Sequence, residues 1–111
     1  MNEKTVSADI LESYPPIDEK KIDALLAKEI EESQAKIIVL DDDPTGVQTV
    51  HDISVYTDWD ADSIRQGLEE KNKLFYILTN SRSFTARQTE AVHRTIAENI
   101  AEVSREMGIP C

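Results

Sequence analysis

Cysteine is almost absent from this sequence: the 111 residues hold one, Cys111, and it is the last. No intrachain disulfide can form, which fits a reducing compartment. Glycine is nearly as scarce. Only Gly46, Gly67 and Gly108 occur, so neither GxGxxG nor GxxxxGK[ST] is present, and nothing here looks able to hold ATP. There is no Cys/His metal spacing, and no neighbouring residues suggest a Ser-His-Asp arrangement. Long apolar runs are missing as well. The first ten residues contain no apolar signal core and no stretch approaches a membrane span. The expected location is the cytoplasm, with no membrane partner. Positive charge is in deficit: 12 Lys and Arg face 22 Asp and Glu, for a net charge of −10. That excludes a general nucleic-acid surface, because phosphate backbones need clustered Lys and Arg. One basic pocket for a small anion stays compatible with it.

What is present has a globular balance, 40% apolar and 31% charged, in a length that suits one small domain. Residues 1–16 are weakly patterned, end in Pro15-Pro16 and read as an irregular lead-in. Asp18 is a good N-cap, with Ile17 and Ile22 placed for a hydrophobic staple, and Ile22, Leu25, Leu26 and Ile30 share one helical face. Lys36-Ile37-Ile38-Val39-Leu40 predicts a strand buried on both faces. Ile53-Ser54-Val55-Tyr56 predicts a second strand, and Asp58 or Asp60 caps a helix carrying Ile64 and Leu68. Leu74 to Thr79 predicts a third. Thr85 with Gln88 forms a capping box for a last helix whose stripe is Val92, Ile96, Ile100, Val103 and Met107, closed by Gly108 with Ile109 folding back. Strands alternating with helices argue for an α/β, three-layer, open parallel sheet of Rossmann-like type with about three strands. The next strand is due after Pro110, so the domain is expected to be partial.

In open parallel sheets ligands bind at the carboxyl ends of strands. Two strand ends here are unusually polar. Asp41-Asp42-Asp43-Pro44-Thr45-Gly46 places three adjacent carboxylates in a turn, and their repulsion must be offset by solvent, a metal, a hydroxyl ligand or backbone N–H groups. Thr79-Asn80-Ser81-Arg82-Ser83 offers hydroxyls, an amide and a guanidinium suited to a carboxylate. Together they describe a pocket with carboxylates on one side and an arginine on the other, fit for a polyhydroxy acid. Read blandly, the first is a solvated acidic turn and the second a loop capping a helix. His51 reads as an ordinary loop histidine, His93 as a helix residue with no role, and Trp59 as packing the start of its helix.

The run Ile37 to Asp52, with Leu40-Asp41-Asp42-Asp43-Pro44-Thr45-Gly46 at its centre, resembles the four-carbon acid sugar kinase family. Its branch with an extended N-terminus is the most similar. Tyr76-Ile77-Leu78-Thr79-Asn80-Ser81-Arg82-Ser83 is similar to that family's next motif, and the likeness runs from about Leu11 to Cys111. The resemblance implies an ATP-dependent kinase of threonate- or erythronate-like acids, whose N-terminal domain binds the sugar acid and whose separate C-terminal domain binds the nucleotide. It implies sugar-acid binding by Asp42, Asp43, Thr45, Gly46, Ser81 and Arg82. ATP and Mg²⁺ are implied by the family and are not expected to be bound by these residues. On this reading residues 17–111 are part of the sugar-acid-binding domain. The nucleotide domain and a later substrate motif lie outside the sequence, and the chain alone is expected to be inactive.

Two other readings stay open at this point. Asp41, Asp43, Thr45 and Thr79 also fit the first two motifs of haloacid-dehalogenase-like Mg²⁺-dependent phosphatases, where the first Asp attacks phosphorus. A non-catalytic interaction fragment is the third. Beyond a small-molecule sugar acid, the expected partner is a second copy, through an unpaired sheet edge.

Overall fold

The computed structural model describes residues 5–111. They form two compact units, one ending at Ser33 and the other running from Gln34 to Cys111.

In the first unit the lead-in is not irregular throughout. A 3₁₀ helix covers Ala8–Ser13, started by Ser7, whose hydroxyl oxygen accepts from the Asp9 N–H at 3.3 Å. Residues 1–4 of the lead-in lie outside those described. Helix α1 (Glu19–Glu32) begins where the capping residue predicts: Asp18 accepts from the Lys21 N–H at 3.1 Å. No residue of α1 is buried, and Ile22, Leu25, Leu26 and Ile30 are all exposed.

The second unit contains β1 (Ile37–Asp41), β2 (Val55–Tyr56), α2 (Ala61–Glu69), β3 (Leu74–Leu78) and α3 (Ala86–Met107). The sheet is open and parallel, in the order β1-β3-β2. This is the α/β class that the alternation of strands and helices predicts. Central β3 turns Phe75 and Ile77 to one face, where they are buried with Ile64 and Leu68 of α2 and Ile96 and Val103 of α3. Helix α2 lies so close that a Cβ on Gly67 would meet the Phe75 ring at 2.7 Å. The Tyr56 ring meets Phe75 edge-on at 5.5 Å.

Local signals set the ends of these helices. Asp60 caps α2 by accepting from the Ser63 N–H at 2.9 Å. Thr85 and Gln88 form the reciprocal capping box of α3. Gly108 ends it in the left-handed region (φ 66°), and the Ile109 N–H returns to the Ser104 carbonyl at 3.1 Å.

Two strand expectations are corrected. β1 is not buried on both faces: Ile37 is 60% and Leu40 39% exposed, because β1 is an edge strand that, among the described residues, pairs with β3 alone. β2 is two residues rather than four, although the Tyr76 N–H still donates to the Ser54 carbonyl at 3.0 Å. Ile38, Leu40, Ile96 and Ile100 line a groove of about 560 Å³ between β1 and α3. At its end the Lys36 N–H donates to the Pro110 carbonyl at 2.8 Å. Among the described residues no helix is long and apolar enough to cross a membrane.

The β1–β3 pairing positions the site. It runs in register from Ile37–Leu74 to Asp41–Leu78 and continues past the strand ends, where the Thr79 N–H donates to the Asp41 carbonyl at 2.8 Å. The two polar loops singled out in the sequence therefore emerge side by side.

Candidate functional site

Asp41, the last residue of β1, is buried. Its Oδ1 accepts the Asp43 N–H at 3.2 Å, while its Oδ2 has no hydrogen-bond partner among the described residues. Gly46 folds back over this carboxylate, so near that an added Cβ would lie 2.3 Å from Oδ2. Only glycine fits that approach. Between them Asp43 closes a turn of its own: Oδ1 accepts from the Thr45 N–H at 2.8 Å and from the Thr45 hydroxyl. These bonds from Thr45, hydroxyl first, hold the Asp43 carboxyl below its ordinary range against an opposing desolvation, with the Arg82 charge adding to them.

The β3 loop turns sharply at Asn80, which takes the left-handed conformation (φ 50°) that asparagine tolerates better than most residues. The turn sends Ser81 inward and Arg82 outward. Ser81 is buried, and its hydroxyl lies 2.8 Å from that of Thr79 and 3.5 Å from Nε2 of His93. The Thr79 hydroxyl donates to the Asp41 carbonyl at 3.1 Å.

Arg82 crosses to the first loop. Its Nε and Nη2 donate to the two oxygens of Asp42 at 3.3 and 3.2 Å, and its Nη1 donates to Asp43 Oδ2 at 2.7 Å. The Arg82 N–H also donates to the Asp42 carbonyl at 3.2 Å. The bond to Asp42 raises the guanidinium pKa against an opposing desolvation, and the charges of all three aspartates add to the rise.

The structure thus brings Asp42, Asp43, Thr45 and Arg82 into one hydrogen-bonded cluster, with Gly46 beside it over Asp41. Ser81 is not part of the cluster, since its hydroxyl is turned to Thr79 and His93. The carboxylates and the arginine that the sequence places on two sides of a pocket are paired with one another here, across the adjacent strand ends. His51 is exposed and pairs with neighbouring Asp52, at 2.8 Å. His93, assigned no role from sequence, reaches the hydroxyl relay beneath the cluster. Its place eight residues after the Thr85 cap, on the inward side of α3, was the only signal for it.

Two groups implied by family resemblance can be compared with these residues. Among the described residues no set of three or more His, Cys, Asp or Glu side chains is arranged to hold a metal ion. The glycines offer no phosphate cradle: Gly46 abuts Asp41, Gly67 abuts Phe75, and Gly108 caps α3. The phosphatase arrangement is not presented either. Asp41 is buried beneath Gly46 rather than open for attack on phosphorus, and the Thr79 hydroxyl is committed to backbone.

A family profile described as a sugar-binding N-terminal domain matches residues 37–109, from the first residue of β1 to the residue after the α3 cap. No curated protein and no solved structure gives a significant match.

Proposed function

Because the chain belongs to the family of sugar-binding N-terminal domains, the N-terminal domain of the family its motifs resemble, we propose that it is the substrate-binding part of a cytoplasmic, ATP-dependent kinase of four-carbon sugar acids. The observation that carries this reading is the juxtaposition of Arg82 with Asp42, Asp43 and Thr45 at two adjacent strand ends. A guanidinium is the side chain suited to a planar carboxylate, and aspartate oxygens accept from sugar hydroxyls. Asp42, Asp43, Thr45, Gly46, Ser81 and Arg82 are the residues assigned to the sugar acid. In this reading the nucleotide and Mg²⁺ are held by polypeptide other than these residues.

The test is calorimetric titration of the purified chain with threonate, erythronate, their neutral polyols and a hexose. Saturable binding of the four-carbon acids, lowered roughly tenfold or more by Arg82→Ala and partly recovered in Arg82→Lys, is expected. Incubation with ATP and Mg²⁺ should give no phosphorylated acid from the chain alone. Equal affinity for acids and hexose would sink the substrate assignment.

A further inference from the structure

Helix α1 presents an apolar stripe to solvent. Ile22, Leu25, Leu26 and Ile30 share one face, and each is about half exposed, between 49% and 56%. A contiguous apolar face of this kind marks a contact surface. The charges at the two ends of α1 indicate what fits it. Lys20 and Lys21 stand in its first turn, Glu31 and Glu32 in its last. Both pairs oppose the helix dipole, which favours acids at the start and bases at the end. Glu19, beside the Asp18 cap, is the exception. These four charges therefore do not stabilise α1 as a lone helix. They suit a second helix running the other way.

We propose that α1 is a self-association surface, docking antiparallel on α1 of a second copy of this chain. The inference is independent of the sugar-acid reading. Reversed about Leu26, the stripe matches itself: Leu26 meets Leu26, and Ile22 meets Ile30 of the second copy. The two-fold axis makes every contact reciprocal. Lys21 stands four residues before Leu25 and Glu32 seven after it, so both border the stripe on the same side. In the reversed pair each Lys21 therefore comes beside Glu32 of the other copy, where Glu32 also keeps its own Lys28 at 3.8 Å. Lys20 and Glu31 lie behind them and add to the attraction between unlike ends. A parallel pair would instead set lysines on lysines and glutamates on glutamates. With 14 residues α1 is about 21 Å long, and Glu29 interrupts the stripe, so the pair belongs with weak, concentration-dependent interfaces.

The deciding experiment is sedimentation of the full chain over a dilution series at low ionic strength, with Ile37→Lys in every protein so that the edge of β1 does not contribute. Lys20→Glu with Lys21→Glu, and separately Glu31→Lys with Glu32→Lys, should each weaken association about tenfold, the scale of several exposed ion pairs turned repulsive. An equimolar mixture of these two proteins should restore it, and so should all four substitutions in one chain. Leu26→Asp should abolish it. Both reversals suit the helix dipole, and circular dichroism of each protein checks that α1 is retained. A chain with unreversed charges that stays monomeric at every concentration overturns the proposal, because something other than a second copy then covers the stripe. Reversed proteins that associate as strongly as the unreversed one, or a mixture that recovers nothing, overturn it equally.

Discussion

The Cα of Gly46 rests directly on the carboxylate of Asp41, with room for no other atom: an added Cβ would stand 2.3 Å from Oδ2 and 2.5 Å from Oδ1. Gly46→Ala must push the turn off Asp41, at a cost of about 1–3 kcal/mol on the scale of overpacked interiors. The cost should shrink by about 1 kcal/mol in an Asp41→Ala background, where the obstructing oxygens are gone. Denaturant melts of the four proteins in this cycle measure it. The same cost in both backgrounds would mean that the contact is not the reason glycine stands there.

Asp43 titrates below its ordinary value of 3.8, chiefly because Thr45 donates its hydroxyl and N–H to it. A carboxyl lowered in the folded state contributes stability that is present above its unfolded value and lost as pH falls through its folded value. The turn should therefore hold at neutral pH and loosen only below pH 3.8. Following the Thr45 amide by NMR during acid titration reports it. Thr45→Val should move the midpoint upward, and an unmoved midpoint would remove the hydroxyl as the cause.

Tyr56 behaves in the opposite sense at alkaline pH. Burial, then the hydrogen bond and charge of Glu70, push its phenol up to about 12 from 10.0. The protonated phenol is the form the fold favours, so its contribution is complete below pH 10 and disappears as pH rises toward 12. Melts between these limits should fall in the wild-type chain and fall less in Tyr56→Phe. Identical alkaline profiles would contradict the assignment.

The outer edge of β1 leaves Ile37 and Leu40 exposed beside free strand backbone, the arrangement that invites edge-to-edge pairing. Concentration-dependent association between copies is expected, opposed but not abolished by the net charge of −10. Sedimentation over a dilution series should show it, and Ile37→Lys should reduce it without lowering the melting temperature. Concentration-independent sedimentation of the wild-type chain would exclude edge pairing.

The sequence is most legible where partners lie within a few residues of one another. Asp18, Asp60, Thr85 with Gln88, and Gly108 each mark a helix end through bonds spanning at most five residues. The two polar strand ends were legible for the same reason, since an acidic turn after an apolar run needs only its own residues to be noticed. What escaped depends on distant neighbours. The exposure of Ile37 and Leu40 follows from β1 standing at an edge. The closing of Arg82 onto Asp42 follows from β1 and β3 being adjacent although β2 lies between them in sequence. The approach of His93 to Ser81 follows from where α3 crosses the sheet. The first two are not encoded in a local period or cap, and for the third the cap places His93 on the inward side of α3 without naming its partner.

The strand order β1-β3-β2 also sets a timetable. Val55 pairs with Tyr76 across a short loop containing α2, whereas Ile37 must wait for Leu74 before it has any strand to join. Closing the longer loop costs more entropy and comes after local pairings have formed. Substitutions in β2, α2 and β3 should therefore slow refolding, while Ile38→Val in β1 should chiefly speed unfolding; a slower refolding rate for Ile38→Val would reverse that sequence of events. The acidic turn and the arginine that closes on it can meet only when β1 docks, so their pairing should be among the last contacts to form as the chain folds.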